Sequence, residues 1–505
     1  MSILEQALER IFVPIRAFRL RYLPLLLIYF SYGASGFSQI AESFWVKEQL
    51  RLNTEALLSI SVWAALPWTI KMVFGELGDS VPIFGSKRKV YVIVGASLIA
   101  SAFVILAGLA GNWPILQQTG ISQGTLYLLS SVLASVGFVF QDVMADAMST
   151  EVIERTDSDG NPREEADIQH DLGMVQLLGR LSLALAMVIV AGLGGWLTKI
   201  IGYENIFLCS LFIPCLSILG VLLVKIEEAP SRPVNWRILL GGTLYGSFAI
   251  AMGFLKVPYS QEIIFIVSLG IIIFLLSGII RDFDKDLQKK VIAAIIVIFT
   301  FRAMPGVGPG YSWWAIDVLH FDPAFFGTLR QTAAIISILV LWLFADTITK
   351  KPINFVLFWL TVLGAFLSLP NISLFYGIHN WTEQVFGFGA RTIALLDTAA
   401  ESPLGQISMI PLLTLIAIYA PKGNASVWFS LMSSLLNLAL VASQIGTKYL
   451  NKIWVVSRAS ENPDGSVLAQ ANYSELGYLL IAASILGFVV PCTIIYLFMP
   501  LHKKT

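Results

Sequence analysis

Apolar runs of twenty or more residues recur along this chain, separated by short polar joints. A helix needs about 20 mainly apolar residues to cross a hydrocarbon core roughly 30 Å thick. By that rule the runs predict spans near 22–46, 54–76, 90–111, 124–150, 171–194, 203–224, 238–256, 262–280, 290–312, 324–346, 352–372, 392–420, 426–449 and 475–499, fourteen in all. Strands of a membrane barrel would be about ten residues long with alternating polarity. The runs here do not alternate that way. The expected fold class is therefore an all-α polytopic membrane protein. Two six-helix halves, residues 1–225 and 289–505, flank an extra two-helix hairpin at 226–288. The hairpin's short turn, KVPYSQ, marks it as an insertion, read as a lipid-facing structural pair rather than a substrate-binding one.

Composition agrees. Of 505 residues, 56% are hydrophobic and only 13% charged, against about 25% charged in soluble domains. A net charge of zero gives no reason to expect a nucleic-acid partner. With the N-terminus in the cytoplasm, Arg16, Arg19, Arg21, Lys87, Arg88, Lys89, Lys289, Lys290, Lys350, Lys351, Lys503 and Lys504 all fall inside. That is the bias of cytoplasmic loops, and it puts both termini in the cytoplasm. The first 21 residues lack a cleavage site and read as a basic amphipathic segment, not a signal peptide. The absence of an evident organelle-targeting pattern points to a bacterial inner membrane. The hydrophilic loops 154–171 (inside) and 450–474 (outside) are too short to be domains. Cys209, Cys215 and Cys492 lie in apolar runs without disulfide or metal spacing and read as buried. The four histidines are assigned to loops and tails, and no phosphate-binding Gly-x-x-x-x-Gly-Lys loop occurs. No cofactor, no metal and no enzymatic activity are expected, and the chain is read as a monomer.

Ionisable groups inside a membrane are expensive, about 2.5–3.5 kcal/mol each on insertion scales, and tend to face a cavity or a partner. Arg180 in GMVQLLGRLSLAL and Arg302 in IFTFRAMPGVGPG each place one guanidinium near the middle of a span, one per half. A guanidinium stays charged and can grip a carboxylate with two hydrogen bonds. Both are candidates for binding an anionic substrate; the alternative is neutralisation by a nearby acid. Pro305, Gly306 and Gly308 follow Arg302 closely and predict a broken helix, a candidate hinge. Tyr311, Trp313 and Trp314 stack on a planar ring or form an interfacial belt.

Asp142 and Asp146 stand one helical turn apart in FQDVMADAM. They are proton-coupling candidates, or else a latch to Arg180 and the bases at 87–89. Asp397 and Glu401 share that spacing beside Pro403 and Gly405, and with Lys71 complete the substrate-binding candidates. Lys71 can equally reach the interface by extending its side chain.

The stretch 66–90, LPWTIKMVFGELGDSVPIFGSKRKV, carries the most specific pattern. Its Asp-Ser-Val-Pro-Ile-Phe-Gly turn resembles the folate–biopterin transporter family of major-facilitator proteins. So do IYFSYGASGFSQIAESFWVKEQL, FQDVMADAM, FDPAFFGTLR and SPLGQISMIPLLTLIAIYAPKGNAS, which together span most of both halves. The frame of Gly75, Asp79 and Arg88 alone indicates only the wider superfamily. The resemblance implies a major-facilitator bundle, a central site and a folate- or pterin-like anion as cargo; the expected driving ion is the proton, through Asp142 and Asp146, with Gly75, Asp79, Arg88 and Lys89 as a cytoplasmic gate. The Met-Pro-Gly-x-Gly-Pro-Gly run and the hairpin depart from the family pattern. Rival cargoes are S-adenosylmethionine, muropeptides or another anion; a membrane-embedded enzyme or lipid scramblase is the rival of another class, and a transport-inactive receptor using the 154–171 loop is a third.

Overall fold

The computed structural model describes residues 18–154, 156, 161, 163–223, 233–255, 257–349, 352–419, 425–461 and 467–499. The expected positions of Arg16, Lys350, Lys351, Lys503, Lys504 and the start of the hairpin lie outside them. The described chain is nearly all helix, with one two-stranded hairpin pairing Ser460–Glu461 with Val467–Ala469 in the second hydrophilic loop. Among the described residues, seven helices are long and apolar enough to cross a membrane, or eight if a broken pair counts as one.

Contacts divide the chain into two units, Met1–Glu42 with Lys71–Leu244, and Ser43–Ile70 with Tyr245–Thr505. This division differs from sequence halves of 1–225 and 289–505. The helix Thr54–Thr69 packs on Ala425–Ile453. Its Val62 and Leu66 share a core with Leu435, Leu438 and Val441. The hairpin helix Ser260–Ile280 also buries one face in that core, through Ile264, Ile272 and Leu276. Its opposite face leaves Ile266, Ile273 and Phe274 exposed.

In the first unit, Lys89–Ala110 and Gln123–Glu151 approach closely through Gly95 and Gly137. A Cβ at Gly95 would stand 2.8 Å from the Gly137 carbonyl oxygen, so a larger residue would force the helices apart. Small residues at contacts are how helices pack where water supplies no driving force. Met144, Met148, Tyr91 and Leu25 fill the core beside this contact.

Caps and breaks follow local chemistry. Asn53 accepts from the Ala56 N–H at 2.8 Å and starts Thr54–Thr69. Asp284 accepts from the Leu287 N–H at 2.9 Å and starts Lys285–Arg302. Several predicted spans are broken. The 54–76 span is two helices, Thr54–Thr69 and Lys71–Ser80, interrupted at Ile70 three residues after Pro67. The 352–372 span breaks between Ile353–Leu367 and Leu369–Phe375, before Pro370. Proline removes a helix hydrogen bond and crowds the preceding turn. Cys209 and Cys215 are exposed and Cys492 is partly so, which corrects their reading as buried. A helix facing lipid keeps apolar residues on its outside. His170 and His379 lie in helices, not loops.

Candidate functional site

Lys71 opens the helix Lys71–Ser80, where the broken span restarts. Its ammonium is ion-paired with Asp142 and lies 3.1 Å from Asp146 Oδ2. The i, i+4 spacing on Gln123–Glu151 aims both carboxylates at this one cation. The Tyr29 hydroxyl donates to Asp146 Oδ1 at 3.0 Å. Lys71 and Asp142 are mostly buried, whereas Asp146 is 55% exposed. Gly179 backs onto the Tyr29 ring, a Cβ there falling 2.7 Å from Cε2, and Arg180 follows it with an exposed side chain. Thus Lys71, Asp142, Asp146 and Arg180 gather around Tyr29 in the first unit. The carboxylates pair with Lys71, not with the 87–89 bases.

Arg88 donates to Asp79, Nη2 to Oδ1 at 2.6 Å. It also donates to the Gly78 carbonyl at 2.9 Å and to both oxygens of Glu151. The Arg88 and Glu151 side chains are buried, 4% and 9% exposed, whereas the Asp79 side chain is 38% exposed. Gly75 meets only Val143, at an ordinary contact distance of 3.7 Å for an added Cβ. Lys89 gives its backbone N–H to Ser86 Oγ at 3.0 Å, and its side chain makes no ion pair among the described residues.

In the second unit the helix Lys285–Arg302 ends at Arg302, and 303–309 run non-helical to Gly310–Asp317. Pro305, Gly306 and Gly308 all fall in this link, and Gly308 takes a φ of +81°. The freed backbone is bonded by side chains of Ala425–Ile453. The Gly306 N–H donates to Thr447 Oγ1 at 2.8 Å, Asn451 Nδ2 donates to the Val307 carbonyl at 3.0 Å, and Ser443 Oγ donates to the Met304 carbonyl at 2.6 Å. Non-helical backbone at membrane depth persists where protein satisfies it in this way.

Arg302 Nη1 lies 3.0 Å from Met409 Sδ. Asp397 is buried and accepts from Asn371 Nδ2 at 2.8 Å, while the Tyr311 hydroxyl donates to Asn371 Oδ1 at 2.5 Å. Glu401 lines a cavity of about 490 Å³ with Phe301, Thr398, Ser402 and Ser408. Ion pairs in this unit include Lys47 with Asp317, Arg391 with Asp322, Lys448 with Glu262, and Lys452 with Glu55.

Residues 32–504 match the BT1 family. The chain belongs to the BT1 family. Among BT1-type relatives, the folate-biopterin transporter of Synechocystis sp. is 23% identical over 87% of this chain and 76% of its own. Probable folate-biopterin transporter 4 of Arabidopsis thaliana is 24% identical over 88% and 91%, and folate transporter 1 of Plasmodium falciparum is 21% identical over 91% and 76%. A POT family transporter solved with 5-aminolevulinic acid superposes with a TM-score of 0.64 at 15% identity, covering 96% of each chain. That likeness shows the fold, the major-facilitator type. This BT1 chain is accordingly an integral membrane transporter for a small molecule, and not an enzyme.

Sequence reading did not single out Glu151, Tyr29, Thr447 or Asn451. Glu151 ends its helix and reads as an ordinary surface acid until the fold places it on Arg88. Tyr29 carried only a weak signal, one of two phenols in a mainly apolar helix.

Proposed function

We propose that this BT1 protein is a secondary active transporter that moves a folate- or pterin-like organic anion by alternating access, with protons as the driving ion. The observation that carries this reading is the Lys71 ion pair with Asp142, with Asp146 on the same ammonium and Arg180 within electrostatic reach of the Tyr29 hydroxyl that bonds Asp146. Fully ionised, the two cations and two carboxylates cancel. One proton on Asp142 leaves the cluster net positive and releases Lys71 to donate to a substrate carboxylate. Binding the anion and binding the proton then favour each other, which is the linkage that symport requires.

Arg180 stays charged throughout and supplies a planar donor pair for a carboxylate. Arg302, at the end of a broken helix, supplies the corresponding group of the second unit. Glu401 and Asp397 orient polar parts of the cargo, and Pro305, Gly306 and Gly308 absorb the backbone change as the helix moves. Asp79 and Arg88 hold the cytoplasmic end, with both termini on that side of a bacterial inner membrane.

The test is uptake of labelled folate into proteoliposomes with and without an inward proton gradient. Gradient-stimulated uptake by the wild type, lost in Asp142→Asn, supports coupling through this cluster. Uptake indifferent to the gradient keeps the cargo and removes the proton. No uptake and no binding sends the cargo to another metabolite anion.

A further inference from the structure

A short helix in the second unit, Ile378–Phe386, takes no part in the transport reading. It follows the apolar span Ile353–Phe375 and precedes the long helix Ala390–Ile418. Nine residues of helix measure about 14 Å, too short to cross a hydrocarbon core of roughly 30 Å. Gly377 and Gly387 bound it with φ of +78° and +75°, left-handed turns that glycine adopts without strain and that stop it from continuing either neighbour. The far end is closed by two bonds. The Phe388 N–H donates to the Thr382 carbonyl at 3.2 Å, and Thr382 Oγ1 donates to the Phe388 carbonyl at 2.6 Å. The helix packs on Leu369–Phe375 and Ala390–Ile418, yet none of its nine residues is buried. Its apolar residues fall on one side. Ile378, Trp381, Val385 and Phe386 follow helical spacing and are 46% to 59% exposed, while His379, Asn380, Glu383 and Gln384 fill the other side. The Trp381 and Phe386 rings meet edge to face at 5.6 Å and form a wedge.

What covers this face follows from the surface it continues. Along the adjoining span, Trp359, Leu363 and Phe366 form an exposed apolar stripe at helical spacing, and such a stripe on a membrane helix faces lipid. Exposed Leu369 and Tyr376 carry that surface to the start of the short helix. We propose that Ile378–Phe386 is an interfacial anchor whose partner is the bilayer itself. It lies in the plane of the membrane surface, with Ile378, Trp381, Val385 and Phe386 set among the headgroups and upper acyl chains. Indole and other amphipathic rings favour that depth. The segment 378–386 contains no Lys or Arg, so the grip comes from apolar area and not from attraction to anionic lipid. The face it occupies, outer in the orientation proposed above, rests on the transport reading; insertion itself does not.

The test measures depth with a nitroxide. Trp381→Cys, Val385→Cys and Glu383→Cys are made singly in a full-length chain whose Cys209, Cys215 and Cys492 are replaced by Ala. Each is spin-labelled and reconstituted into phosphatidylcholine liposomes, and its collisions with oxygen and with a water-soluble nickel chelate are read by power saturation. Labels at 381 and 385 are expected to favour oxygen and to lie about 5–10 Å below the headgroup boundary. The label at 383, on the polar side, is expected to favour nickel. Replacing part of the lipid with phosphatidylglycerol is expected to leave these depths unchanged. Insertion that appears only with the anionic lipid would overturn the apolar anchor in favour of attachment through charge. Nickel favoured at all three positions would leave the helix in water and overturn the proposal. Few collisions with either reagent at 381 and 385 would mean that protein covers the face, as a second copy of the chain would, and would overturn it as well. Because the readout needs no flux, its failure is distinct from failure of the transport reading.

Discussion

Arg88 grips Glu151 with two parallel hydrogen bonds, Nε to Oε2 at 3.0 Å and Nη2 to Oε1 at 2.7 Å. The same guanidinium reaches Asp79 and the Gly78 carbonyl, so one buried side chain ties the 79–88 turn to the end of Gln123–Glu151. Breaking a buried pair by removing one partner strands the other charge, which costs about 3–5 kcal/mol. Arg88→Gln is therefore expected to lower the thermal midpoint in detergent by several degrees. Lys89→Gln, one residue on, is expected to stay within about 0.5 kcal/mol of the wild type. Equal effects for the two would remove the latch.

Lys71→Gln leaves Asp142 and Asp146 facing each other with no ammonium between them. The yield of monodisperse protein on size exclusion should fall. Adding Asp142→Asn removes one of the repelling charges and should restore that yield without restoring uptake. A double variant no better folded than Lys71→Gln alone would show that the lysine acts through packing.

Arg302→Gln removes the charge and keeps a polar, though shorter, side chain. Folate uptake should be abolished, while the variant remains in the membrane with an unchanged elution profile. Unchanged uptake would take Arg302 out of the site.

The link at 303–309 is bonded by three side chains of the neighbouring helix, Ser443, Thr447 and Asn451. Thr447→Val strands the Gly306 N–H, and Asn451→Leu strands the Val307 carbonyl. Each change should cost about 1–3 kcal/mol and speed hydrogen exchange across the link, with little change in Ser260–Ile280. Uniform exchange in both segments would mean that the link is held by other means.

The sequence by itself determined the solvent and the broad architecture. Runs as apolar as 90–111 have no stable place outside lipid, and the run of Pro305, Gly306 and Gly308 could not continue a helix. The turn 79–88 carried its own partners, Asp79 and Arg88, because they are close in the chain. Tertiary structure decided what distance in sequence concealed. Asp142 and Asp146 visibly shared a face, but which cation they met depended on where the break at Ile70 set Lys71. Glu151 became a partner of Arg88 only through the packing of Gln123–Glu151 beside the turn. Thr447 and Asn451 looked like unremarkable polar residues until the unwound link lay against them. The physical reason is common to all three. Hydrophobic periodicity reports how each helix meets lipid or core, whereas the pairing of polar groups inside a membrane depends on the rotation and depth of neighbouring helices, which no local pattern encodes.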